Sequence, residues 1–183
     1  KGRIINSSTA CTSGSLAIGQ AYESIAMGRQ TVMLAGGAEV FNVLQTAVFD
    51  TLFAASTRND RPELTPAPYD AGRDGLVLGE GACTLVLEEL EHALARGARI
   101  YAEVVGFGYT SDGTHITSPN AETMKGAMVE ALQMAGLRPE DIGYLNLHGT
   151  GTKNGDMAEA AATSSVFGNR LPVSGLKGYT GHT

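Results

Sequence analysis

Between Gly14 and Gly28 the chain places Leu16, Ala17, Ile18, Ala21, Ile25 and Ala26 at helical spacing and leaves almost no polar face. A helix that is apolar nearly all round must be covered on several sides. The fold is therefore expected to be layered, with this helix inside it. Residues 4–8 read as a short strand leading into a turn of small residues, Thr9-Ala10-Cys11-Thr12-Ser13-Gly14. Residues 31–35 form an apolar run ahead of Gly36-Gly37, the pattern of a buried strand.

The rest of the chain keeps alternating. A second helix is expected over 41–55, and residues 56–81, rich in Pro, Gly, Asp and Arg, read as a long ordered loop. Strands are expected at 82–88, 100–107, 142–147 and 171–174, with helices at 90–96, 121–135 and 156–167. The helix over 121–135 is the clearest, because Met124, Ala127, Met128, Ala131, Leu132 and Ala135 form one stripe and Gly136 supplies a stop. Alternating strands and helices argue for an α/β architecture. The chain lacks an initiator Met and a signal-like segment, and ends at Gly181-His182-Thr183 without a closing element. It reads as part of a longer cytoplasmic protein.

Composition excludes several classes. With 43% hydrophobic and 17% charged residues among 183, the chain is globular rather than disordered. Thirteen Lys+Arg against nineteen Asp+Glu give a net charge of -6 with no basic run, which excludes a nucleic-acid partner. No apolar stretch approaches the ~18–20 residues of a membrane span. Two cysteines cannot make a disulfide scaffold, and no CxxC pair marks a structural zinc site. Gly149-Thr150-Gly151-Thr152-Lys153 lacks P-loop spacing, and Gly106-Phe107-Gly108 lacks the third glycine of a dinucleotide fingerprint.

Reactive residues gather at strand ends. Cys11 lies where a strand turns into the long apolar helix. Free N–H groups and the helix dipole there favour a thiolate, lower the thiol pKa and can receive an oxyanion. A structural cysteine is the alternative reading. Cys83 lies among Leu85, Val86 and Leu87 and reads as inert core. His148 closes an apolar strand, a usual position for α/β sites. Asp156 and Glu159 share one face of the next helix, where they are either site groups or ordinary first-turn negative charge. Lys177 and His182 lie in a second polar loop. His92 reads as solvated, and His115 is open. Cys11, His148 and His182 could in principle hold zinc, though no helical ligand spacing supports it.

These blocks together resemble the β-ketoacyl-acyl-carrier-protein synthases, the condensing enzymes of fatty acid and polyketide synthesis. The turn at Cys11, the run Leu34-Ala35-Gly36-Gly37-Ala38-Glu39, the loop blocks Ser56-Thr57-Arg58-Asn59-Asp60, Pro68-Tyr69-Asp70 through Arg73-Asp74-Gly75 and Gly79-Glu80-Gly81-Ala82, the histidine block His148-Gly149-Thr150-Gly151-Thr152, and Lys177 with Gly181-His182 all occur in family order. Residues 87–93 are most similar to discrete bacterial elongation enzymes. The resemblance implies a thiolase-like layered fold (α-β-α-β-α), incomplete at both ends. Residues 1–80 would end the N-terminal half, and 81–183 would make most of the C-terminal half.

The resemblance also implies a mechanism. Cys11 would take an acyl chain from the phosphopantetheine of an acyl carrier protein, with the oxyanion on its own N–H. His148 and His182 would hold the malonyl thioester carbonyl while CO2 leaves. Lys177, paired with Glu159, would orient the site, with Asp156 in support. Thr150 and Thr152 would bind the pantetheine arm. No metal or organic cofactor is implied, and the enzyme would be a cytoplasmic homodimer. The isolated chain would be inactive. Three other readings compete: a thiolase or chalcone-synthase-like enzyme, a non-catalytic chain-length partner, and a cysteine hydrolase. The two-histidine set with Lys177 argues against the first, the presence of Cys11 against the second, and water exclusion in condensing enzymes against the third.

Overall fold

The computed structural model describes residues 2–183. A 3₁₀ turn at Ala10–Thr12 leads into α1, Ser13–Ala26. Strands β1, Val32–Glu39, and β2, Gly81–Glu88, form an antiparallel pair along their full length, with Met33 opposite Leu87 and Gly37 opposite Cys83. Helix α1 packs on this pair. Between the strands lie α2, Val43–Thr51, and the long loop. Asn42 starts α2 by accepting the Gln45 N–H at 3.0 Å. Short α3, Leu90–Ala95, follows β2.

The second half is built on α4, Ala121–Ala135, and α5, Lys153–Phe167, which pack together. Asn120 caps α4 at its start, and Gly136 ends it in the left-handed conformation at φ 66°. Strands β3, Leu145–Asn146, and β4, Val173–Ser174, pair in parallel, and α6, Lys177–Thr180, closes the order.

Several expectations need correction. Residues 4–8 and 100–107 have strand-like patterns, yet neither forms a ladder among the described residues. A pattern sets which sides a segment can bury; a strand also needs a neighbour to receive its hydrogen bonds. The second segment still alternates sides at its end. Gly106 and Gly108 press on α4, where an added Cβ would lie 2.3 and 2.4 Å from the Ala131 and Ala127 carbonyl oxygens. Phe107, between them, lies over Gly19 of α1, where an added Cβ would meet its ring at 2.3 Å. The strand expected over 142–147 shrinks to its middle, Leu145–Asn146.

Helix α1 is covered less completely than its composition requires: only Gly19, Ala21 and Ser24 are buried. Apolar exposure continues outside it, with Ile4 at 96%, Leu34 at 69%, Val43 at 77%, Leu44 at 79% and Phe53 at 95%. Cys83, expected in the core, is exposed on β2. Apolar surface left open in this way drives association. The chain by itself is therefore expected to sediment as species heavier than 19.0 kDa, and a lone 19.0 kDa boundary at micromolar concentration would contradict this.

Candidate active site

The turn at Cys11 is tied by hydroxyls. The Ser13 hydroxyl donates to the Ala10 carbonyl at 2.7 Å and accepts the Thr9 N–H at 2.8 Å, while the Thr12 hydroxyl donates to the Thr9 carbonyl at 2.9 Å. These bonds hold Ala10 at φ 52°, an uncommon conformation for a residue with a side chain. The bend turns Cys11 out ahead of α1.

His148 follows β3. The Leu147 N–H donates to the Ser174 carbonyl at 2.7 Å, which fixes the strand end beside β4. His182 is anchored from the other side. Its N–H donates to the Val77 carbonyl at 2.7 Å, and its carbonyl accepts the Gly79 N–H at 2.8 Å. The two imidazoles meet edge to face at 5.3 Å between ring centres, with the Phe49 ring 6.3 Å from that of His182. Cys11, His148 and His182 bring their ligand atoms within 4.8 Å of one another. The same three donors could hold a metal ion, despite the absence of helical ligand spacing. His182 is buried, and its Nε2 has no hydrogen-bond partner among the described residues.

Asp156 and Glu159 hold the site from below. Both are buried in α5, at 1% and 8% exposure. Glu159 accepts the N–H of His148 at 2.6 Å and that of Gly149 at 2.9 Å. It also accepts the Tyr69 hydroxyl at 2.5 Å. Asp156 accepts the Gly151 N–H at 3.1 Å and the Tyr69 N–H at 2.7 Å, and pairs with Arg73 at 3.4 Å. Tyr69 and Arg73 were not singled out as site residues from the sequence, although Pro68-Tyr69-Asp70 and Arg73 fall in blocks the family resemblance uses.

Lys177 lies elsewhere than expected. Its Nζ stands 3.3 Å from His148 Nδ1 and forms no ion pair with Glu159. Thr150 and Thr152 bond each other at 2.8 Å, and Thr152 caps α5 by accepting the Gly155 N–H at 3.2 Å. His92 pairs with Glu88 on the surface, and His115 bonds Thr117 in its loop.

The charge state of the site differs from the sequence expectation at one position. Partial burial pushes the Cys11 thiol up from its ordinary value, outweighing a backbone hydrogen bond and the Lys177 charge, which both lower it. The thiol precedes α1 by a 3₁₀ turn and so misses the first helical turn, where the dipole acts most strongly. His148 keeps some solvent-facing surface, yet the atoms packed about its ring, then Lys177 and His182, lower its pKa to about 3. Burial, then Lys177, lowers that of His182. Burial also lowers that of Lys177, against the pull of Glu159 and Cys11. At neutral pH both imidazoles are neutral, and each carries one N–H.

A protonated thiol on a turn ahead of a packed helix, facing one neutral imidazole after β3 and another after α6, defines a cysteine–histidine–histidine site on an α/β scaffold. Comparison with known proteins identifies the scaffold as the thiolase-type layered fold. The chain superposes on the crystal structure of a beta-ketoacyl synthase from Burkholderia phymatum with a TM-score of 0.98 and 63% identity, over 100% of this chain and 45% of that one. A type II polyketide ketosynthase, solved with its acyl carrier protein and bound to the hexaketide, gives a TM-score of 0.94 at 36% identity, over 98% of this chain and 46% of that one. Residues 1–93 match the beta-ketoacyl synthase N-terminal domain and residues 101–183 its C-terminal domain. The chain belongs to the beta-ketoacyl synthase family.

Curated relatives include 3-oxoacyl-[acyl-carrier-protein] synthase 2 of Vibrio cholerae, 48% identical over 100% of this chain and 46% of the relative. Synthase 1 of Escherichia coli K12 is 46% identical over 96% of this chain and 43% of the relative. The chain thus spans a little under half the length of these relatives. No helix among the described residues is long and apolar enough to cross a membrane.

A raised thiol pKa means that little thiolate exists at neutral pH. Iodoacetamide labelling of Cys11 is therefore expected to climb about tenfold per pH unit from pH ~7 to ~9, because only the thiolate reacts. A plateau at neutral pH would show that the thiolate is stabilised instead.

Proposed function

We propose that the protein carrying this chain catalyses decarboxylative Claisen condensation, extending an acyl chain held on Cys11 with a malonyl unit delivered by acyl carrier protein. The observation that carries the reading is the meeting of Cys11, His148 and His182 within 4.8 Å. The names of the relatives support the substrate class.

The steps balance with side chains, substrates and one proton from solvent. Cys11 sulfur attacks the acyl-carrier thioester, its N–H receives the oxyanion, and the carrier thiol departs with the cysteine proton. Malonyl-carrier then binds with its thioester carbonyl against the N–H groups of His148 and His182. Those donors stabilise the enolate formed as CO2 leaves. Neutral imidazoles suit this role because a fixed N–H donor stabilises developing charge without giving up its proton. The unpartnered, buried Nε2 of His182 supports its assignment as such a donor. The enolate carbon attacks acyl-Cys11 and releases 3-oxoacyl-carrier and the Cys11 thiolate, which takes a proton from solvent. Lys177, against His148, sets the field of the site. Thr150 and Thr152 border the pantetheine path, with Thr152 also holding α5. No metal or organic cofactor takes part.

The proposed setting is fatty acid synthesis in the cytoplasm, by a homodimer. The exposed apolar residues beside β1 support the dimer. Polyketide assembly is the second reading, favoured by the likeness to the ketosynthase solved with its acyl carrier protein.

The roles separate by mutation. Cys11→Gln is expected to abolish condensation while malonyl-carrier decarboxylation continues. His148→Ala and His182→Ala are each expected to lose ~10²–10³ in decarboxylation rate, the usual cost of one preorganised donor. Release of labelled CO2 by the intact protein measures this. A histidine variant that decarboxylates at the parent rate removes that histidine from the mechanism.

A further inference from the structure

Tyr69 is held at both ends by α5. Its N–H donates to Asp156 at 2.7 Å and its hydroxyl to Glu159 at 2.5 Å, across separations of 87 and 90 residues. The backbone between these anchors has φ 64°, uncommon for a bulky residue and kept here by the two bonds. Burial and the Glu159 carboxylate both raise the phenol pKa, so the hydroxyl remains a donor.

Three donors then meet Glu159. Oε1 takes the His148 N–H, and Oε2 takes the Gly149 N–H and the Tyr69 hydroxyl. Without the hydroxyl, a carboxylate only 8% exposed would keep two backbone donors and lose the third, and a buried charge with an open acceptor site draws in whatever donor is near. Lys177 is the nearby cation; its charge is already felt from Glu159, yet its Nζ sits 3.3 Å from His148 Nδ1. An ammonium only donates, so His148 Nδ1 accepts, and the ring proton of the neutral imidazole must be on Nε2.

We propose that Tyr69 is a positioning residue of this site: its hydroxyl completes Glu159, keeps Lys177 on His148 Nδ1, and so holds His148 as the Nε2–H tautomer. The catalytic consequence rests on the role proposed above for His148; the tautomer itself does not. The site thus depends on a phenol in the long loop.

The test is Tyr69→Phe in the intact protein, which removes one oxygen and keeps the ring. Nitrogen-15 spectra of histidine-labelled protein at neutral pH read the tautomer. The parent is expected to show His148 with unprotonated Nδ1 and protonated Nε2. The variant is expected to show mixed tautomers, with decarboxylation kcat lowered about tenfold, the scale of one lost hydrogen bond to a charged group, at unchanged KM. A His148 spectrum identical to the parent overturns the proposal, whatever the rate. Should Tyr69→Phe not fold, Lys177→Met tests the same link, since it is expected to mix the tautomers with Tyr69 in place; a single Nε2–H tautomer there overturns it equally. If His148→Ala decarboxylates at the parent rate, the catalytic reading fails while the tautomer result stands on its own.

Discussion

The site depends on two carboxylates one helical turn apart. Asp156 and Glu159 are buried on one face of α5, and together they accept the N–H groups of His148, Gly149, Gly151 and Tyr69 and the hydroxyl of Tyr69. The neighbouring sheet offers little else to hold the histidine turn, because β3 and β4 pair over two residues each. Hydrogen bonds to charged groups contribute ~1.5–3 kcal/mol apiece, and a buried carboxylate left unpaired is costly. The carboxylates thus require the turn and the long loop to come together, with Arg73 closing the set against Asp156.

The chemistry follows from that anchoring. A turn held by its own N–H groups presents His148 without using its ring, so the imidazole is free for Lys177 on one side and for Cys11 and His182 on the other. Packing keeps both rings neutral and the thiol protonated. In the reaction proposed for this site, charge develops only during the chemical step, and N–H donors already in position would stabilise it without reorganisation.

Much of this was legible from local sequence. Cys11, His148, Lys177 and His182 each lie in glycine-rich turns beside apolar runs, and the structure brings all four together. The strength of α4 was legible too, since its stripe and its Gly136 stop are local signals. What remained hidden depended on distant partners. Asp156 and Glu159 could be placed on one face of a helix, but not under Tyr69, nearly half the chain away. Lys177 was expected on Glu159, because sequence shows charges and hides the backbone donors that compete for them. The Cys11 thiol was expected low because the dipole is readable from an adjacent helix, whereas the burial that outweighs it is a tertiary property. Residues 100–107 carried a strand pattern without the neighbouring strand that makes one.

Amide hydrogen exchange under native conditions tests the central claim most directly, namely that these carboxylates hold the histidine turn and the loop. In the parent, the amides of His148, Gly149, Gly151 and Tyr69 should exchange slowly. Glu159→Ala should release His148 and Gly149, Asp156→Ala should release Gly151 and Tyr69, and the β1–β2 amides should keep their protection in both. If His148 and Gly149 remain as protected in Glu159→Ala as in the parent, something other than the carboxylate holds the turn, and the account is wrong.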